Sequence, residues 1–166
     1  MSKNLAVALV VFTACADPTE RAVVGPLRTT CGNFFGSVLC PTFVVGDGPS
    51  EAASFGFQGY THRLGIETEL ELRREPPDPP FGERLIVVEL IRETPVETAP
   101  FTLTFTDPPI GANWFQSGTL GGTQLLCEGT ICDDIHDAEI NSTQWSVTLE
   151  VAGEQLLRPL AVEIDL

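Results

Sequence analysis

Lysine is almost missing from this chain of 166 residues: Lys3 is the only one, so eight arginines face 23 carboxylates and the formal net charge is −14. A surface of that sign repels phosphate backbones and anionic headgroups, which removes nucleic acid from the expected partners. Histidine is scarce as well, with only His62 and His136, and a lone imidazole among carboxylates is a poor basis for a transition-metal site. No serine stands in a G-x-S-x-G elbow, and neither a Walker loop nor a dinucleotide fingerprint occurs. Folding alone can assemble a catalytic triad, because triads are defined by geometry. The sequence nominates none, and the expectation is a protein that is not an enzyme. Long apolar runs are also lacking. The stretch Leu5 to Phe12 has no polar side chain, yet it falls well short of the roughly 20 residues that cross a bilayer as a helix.

A positive Lys3, that short apolar run and small residues at Thr13 and Ala14 instead describe a secretory signal over residues 1–16. Two exits compete. Phe12-Thr13-Ala14-Cys15 resembles a bacterial lipobox, in which Cys15 becomes the acylated first residue of the mature chain. Ala14-Cys15-Ala16 also fits the A-x-A pattern of ordinary signal peptidase, with cleavage before Asp17. The lipid anchor is the preferred reading. Acyl chains contribute about 0.8 kcal/mol per buried CH₂ and would hold the domain on a membrane. The resemblance to lipoproteins implies that Ala16 next to the modified cysteine permits sorting to an outer membrane. Simple cleavage would leave a periplasmic or secreted protein.

Either exit removes Cys15 from the count and leaves an even set: Cys31, Cys40, Cys127 and Cys132. In an exported domain an even set reads as disulfides. Four cysteines allow three connectivities. Local pairing of Cys31 with Cys40 and Cys127 with Cys132 is preferred, because "CGNFFGSVLC" and "CEGTIC" each contain glycine and can fold back. A four-thiolate zinc site is the competing reading, and its usual ligand gaps are narrower than these.

After the signal, residues 17–30 mix Pro, Gly, Arg and small apolar residues and read as a tether to a domain over 31–166. There the dominant pattern is period two. Leu64, Ile66, Thr68, Leu70 and Leu72 share one face, and Glu67, Glu69, Glu71 and Arg73 the other. "FTLTFTD" and "QWSVTLEV" alternate in the same way, and "PLAVEIDL" completes a hairpin with Leu160, Val162 and Ile164 on one side. "RLIVVELIRE" is apolar on both faces near its start, which predicts a central or covered strand. Weaker strands are predicted over 37–45, 55–62 and 113–127. "EPPDPPFGE" predicts a stiff connection rather than sheet. Seven or eight strands in a domain of this size point to an all-β, two-sheet antiparallel sandwich of immunoglobulin-like or jelly-roll topology, with a small barrel as the alternative.

Candidate sites are few. "CDDIHDAEINST" gathers Asp133, Asp134, Asp137, Glu139 and Asn141, hard oxygen donors of the kind Ca²⁺ prefers. The spacing is not that of an EF-hand, and a solvated acidic loop is the ordinary explanation, so no cofactor is expected and calcium is the alternative. Tyr60, Trp114 and Phe115 are candidate aromatic contacts for a sugar or a protein partner, with core packing as the blander role. The expected function is that of an exported, lipid-anchored, non-enzymatic envelope protein that binds a protein or glycan. Two alternatives stand beside it: an extracytoplasmic hydrolase using a carboxylate pair or calcium near His62 or His136, and a structural subunit of a surface or secreted assembly.

Overall fold

Alternation of apolar and polar residues yields strands along most of the chain. The computed structural model describes residues 18–33, 36–76, 83–106 and 114–164. The signal region with Cys15, most of the proline-rich connection and the segment before Trp114 lie outside the described residues. The elements are β1 (Glu20–Asn33), β2 (Gly36–Val45), β3 (Ser50–Ala52), β4 (Phe57–Gln58), β5 (Ile66–Glu75), β6 (Arg84–Pro95), β7 (Phe101–Thr106), β8 (Phe115–Gln116), β9 (Thr119–Leu120), β10 (Thr123–Leu125), α1 (Ile131–Asn141), β11 (Gln144–Gly153) and β12 (Leu156–Ile164). They form two six-stranded sheets, ordered β3-β2-β1-β5-β6-β4 and β7-β11-β12-β10-β9-β8. The pairings are antiparallel except β4 with β6 and β10 with β12. The chain is therefore the two-sheet sandwich that its periodicity predicts, with each sheet drawn from one half of the sequence.

The first sheet is curled. Its two edge strands, β3 and β4, are consecutive in the chain and joined only by residues 53–56. From Ala52 to Phe57 the backbone can reach at most about 18 Å, whereas a flat six-stranded sheet is about 24 Å across. The edges must approach each other, and the connection straps across the mouth of the curl. Inside the curl Ala22, Val24, Phe43, Ala53, Phe57, Leu70, Leu72 and Leu85 form one core. The second core lies between the second sheet and α1, where Phe105 stacks on Trp145 at 4.2 Å and meets Trp114 edge-on at 4.8 Å. Leu39 and Leu64 of the first half complete it.

Backbone contacts fasten the halves together. The Leu39 N–H donates to the Gly121 carbonyl at 3.0 Å, and the Leu64 N–H to the Glu154 carbonyl at 2.7 Å. Gly121 has φ +52°, and a Cβ there would stand 2.7 Å from the Leu39 nitrogen. Only glycine permits that approach.

Strand faces follow the expected alternation in β5, where Thr68, Leu70 and Leu72 are buried, in β7 with Leu103 and Phe105, and in β11 with Trp145, Val147 and Leu149. Several expectations are corrected. Residues 20–30 are no tether: they belong to β1, which pairs with β2 and β5 and buries Ala22 and Val24. The alternation Arg21-Ala22-Val23-Val24 outweighs the Pro/Gly composition around it. The hairpin of β11 and β12 forms, but the register shift at Thr148/Leu149 skips Leu160, so Leu157 and Pro159 join Val162 on the inward face and Leu160 is exposed; Ile164, opposite Trp145 near the end of β12, is exposed as well. A bulge reverses faces in this way because side chains alternate with period two. β6 is central only near its start, where it lies between β5 and β4 and buries Leu85; beyond Ile86 it has no β4 partner, and Val88, Leu90 and Ile91 are exposed. The weak strands over 55–62 and 113–127 break into the short pieces β4, β8, β9 and β10, interrupted by glycines at positive φ.

Candidate binding site at the mouth of the curled sheet

β1 changes register between Val24 and Arg28. It leaves β5 at Val24 and continues beside β2 alone, so Gly25, Pro26 and Leu27 bulge outward. His62 and Gly65 catch the bulge. The imidazole lies 2.8 Å from the Gly25 carbonyl through Nε2, and the Gly65 N–H donates to the Pro26 carbonyl at 2.9 Å. A carbonyl only accepts, so Nε2 carries the proton and Nδ1 has a free lone pair. That lone pair accepts from Arg28 Nε at 3.3 Å. Burial lowers the His62 pKa, and the Arg28 charge adds to the effect against the opposing Gly25 bond. His62 is thus a neutral, oriented acceptor whose two nitrogens are both committed.

Arg28 spans the junction of the sheets. Besides His62 Nδ1 it donates to Thr123 Oγ1 at 2.7 Å on β10, to the His62 carbonyl at 3.4 Å and to Gln155 Oε1 at 3.0 Å in the β11–β12 turn. The Gln155 amide also donates to the His62 carbonyl. Desolvation lowers the guanidinium pKa, though it remains charged at any ordinary pH. Every acceptor it meets among the described residues is neutral.

Beside this cluster, under the strap of residues 53–56, opens a cavity of about 280 Å³. Arg28, His62, Thr61 and Tyr60 supply its polar side, and Leu39, Pro41, Ala53, Phe55 and Phe57 its apolar walls. Among the described residues no carboxylate lines it. Phe55, 42% exposed, stands at the rim. A second hollow of about 200 Å³ shares the strap and reaches Glu51 and Glu83, whose charges are answered by Arg74.

The sequence candidates separate into different places. Tyr60 reaches the cavity: its ring meets Phe57 edge-on at 5.9 Å and its hydroxyl is tied to buried Thr68 at 2.7 Å. Burial raises its pKa, with the Thr68 bond opposing. Trp114 is 8% exposed and is a core residue rather than a displayed ring. Phe115 is half-buried, 6.1 Å from His136, and with Cys132 and Asp133 lines a separate cavity of about 310 Å³.

The acidic segment is not a loop. It forms α1, with Ile135 and Ala138 buried and Asp133 and Asp134 in the first turn, where carboxylates favour the helix dipole. Glu139 is engaged by the Trp114 and Phe115 backbone N–H groups. Among the described residues no three His, Cys, Asp or Glu side chains converge on a metal position, so Asp133, Asp134, Asp137 and Glu139 do not share one site. Cys31 pairs with Cys40 and Cys127 with Cys132, as preferred from their spacing. Cys40 lines the cavity at the mouth, and Cys132 the one beside α1.

Arg28 escaped the sequence reading although a signal was present. Between Glu20 and Asp47 the chain has no acidic residue, whereas each of the other seven arginines has a glutamate within four positions. No family model, characterised protein or solved structure matches the chain.

Proposed function

We propose that this is an exported, non-catalytic binding module, held at an outer membrane or cell surface by acyl chains on Cys15, that engages a protein or glycan partner through the mouth of its curled sheet. The observation that carries the proposal is the open cavity under the 53–56 strap, which no carboxylate of the described residues lines, with the exposed aromatic Phe55 and the charged Arg28 among its lining residues. Concave, mostly apolar sites with a few placed polar groups are where proteins bind. Two disulfides support export, because they persist in oxidising compartments. Among the described residues no helix is long and apolar enough to cross a membrane.

The hydrolase alternative is less favoured. It calls for a carboxylate pair or a calcium site, and among the described residues no carboxylate lines the cavity at the mouth; His62, whose nitrogens are both committed to Gly25 and Arg28, has no free lone pair to act as a general base there. Self-assembly along the open edge of β6 is also less favoured: Glu89, Arg92, Glu93 and Pro95 are the residues that discourage edge-to-edge pairing.

A photo-crosslinking residue in place of Phe55, in cells that export the chain, tests the binding reading. The expected result is a discrete adduct from position 55 and none from position 163 on β12. Equal labelling at both positions, or none at either, would contradict it. Intact mass of the mature chain should show an acylated N-terminal Cys15; a chain starting at Asp17 would overturn the anchor.

A further inference from the structure

We infer that the cavity at the mouth of the curled sheet receives the C-terminal carboxylate of a polypeptide ending in an apolar residue, with Arg28 as the anion receptor. The inference rests on the binding reading above and specifies its ligand.

The charge pattern carries it. Arg21, Arg63, Arg73, Arg74, Arg84, Arg92 and Arg158 each form an ion pair. Arg28 is the one arginine that forms none with the described residues, in a chain with 23 carboxylates. It is half-buried, and a charge withdrawn from water without a counter-charge is costly. A guanidinium has five N–H donors, and four hydrogen bonds occupy Arg28: one from Nε, one from Nη1 and two from Nη2. Among the described residues nothing takes the second Nη1 donor, and none neutralises the positive charge. A carboxylate would supply both the missing acceptor and the missing charge.

The walls select what the carboxylate is attached to. Leu39, Pro41, Phe55 and Phe57 offer apolar surface, and the Tyr60 hydroxyl is already spent on Thr68. A sugar acid would bring ring hydroxyls with few partners to meet them. An apolar side chain beside a terminal carboxylate matches both sides of the cavity. Its volume, about 280 Å³, lies at the small end for ligand pockets and suits one residue rather than a long segment. The net charge of −14 adds a requirement at longer range. It repels acidic chains and draws basic ones, so the residues ahead of that terminus should be basic.

The test uses the mature chain with both disulfides intact and the peptide acetyl-lysyl-lysyl-glycyl-phenylalanine, as free acid and as C-terminal amide, by calorimetry. The free acid should bind at least about tenfold more tightly than the amide. Arg28→Met should remove that difference and Arg74→Met should keep it. Because the acid and amide are compared on the unaltered chain, a folding defect in the Arg28 variant does not obscure the answer. Equal affinity of acid and amide would overturn the inference. So would tighter binding of glucuronate than of the peptide acid, which would assign the site to a glycan. If position 55 crosslinks a partner while acid and amide bind alike, the binding module stands and the carboxylate assignment falls. If position 55 crosslinks nothing and neither peptide binds, both fall.

Discussion

The two halves of the molecule solve the same packing problem differently. The second sheet closes a core of large rings, with Phe105, Trp114 and Trp145 in contact and α1 laid across them. The first sheet closes partly on itself around smaller side chains, and a short strap covers its mouth. Its charges are arranged to match. At one end Arg74 gathers Glu20, Glu51 and Glu83 and lies 5.5 Å over the Phe43 ring. At the other, the partners of Arg28 among the described residues are all neutral. Each half has a cavity, but only in the first half is one lined by an arginine that forms no ion pair with the described residues.

Truncating the rings should show the difference most strongly. Trp145→Ala should cost about 3–5 kcal/mol in chemical denaturation, and Phe57→Ala, at the cavity mouth, toward the lower end of that range. Equal losses would break the contrast between a sealed core and an open one. The joint between the halves comes next. Gly121→Ala places a Cβ against Leu39 at positive φ and should cost about 2–3 kcal/mol by the same assay, while the analogous change at exposed Gly122 should cost less. The disulfides follow. Loops closed over separations of 9 and 5 residues correspond to about 2.5 and about 2 kcal/mol. Serine in place of both Cys31 and Cys40 should also weaken peptide binding, since Cys40 lines the cavity; the Cys127/Cys132 pair of changes should not.

Smaller effects separate the two arginines. Arg74→Met leaves three carboxylates together and should cost about 1–2 kcal/mol at low salt, with less lost at high salt as their repulsion is screened. The pH dependence from His62 is the smallest. Its folded-state pKa lies below the unfolded value of about 6.5, so the unfolded chain binds the proton more readily. The contribution of the neutral ring is complete above that value and is lost as pH falls from it through the folded pKa. Denaturation midpoints measured across this range should fall for the native chain, and His62→Gln should flatten that part of the profile.

Much of the fold was legible in the sequence because a half-buried strand writes itself with period two: β5, β7 and β11 announce their inward faces residue by residue. The places that misled are those where a local event resets the pattern. The register shift at Thr148/Leu149 resets the alternation of β12 at Leu160, and α1 buries only Ile135 and Ala138, too short a helical stripe to stand out among acids. The site was less legible than the fold. Arg28, His62, Thr123 and Gln155 come from four distant stretches and meet only because β1 bulges and the β11–β12 turn docks beside it. What the sequence did contain was the acid-free interval around Arg28, visible only once the pairing of the other arginines is known.

The most direct measurement is an NMR titration of the Arg28 Nε–H resonance with the peptide acid and its amide. A saturable shift with the acid and little change with the amide is predicted. An Arg28 resonance that stays in place while the peptide binds, or that responds alike to both, would contradict the assignment of Arg28 as a carboxylate receptor.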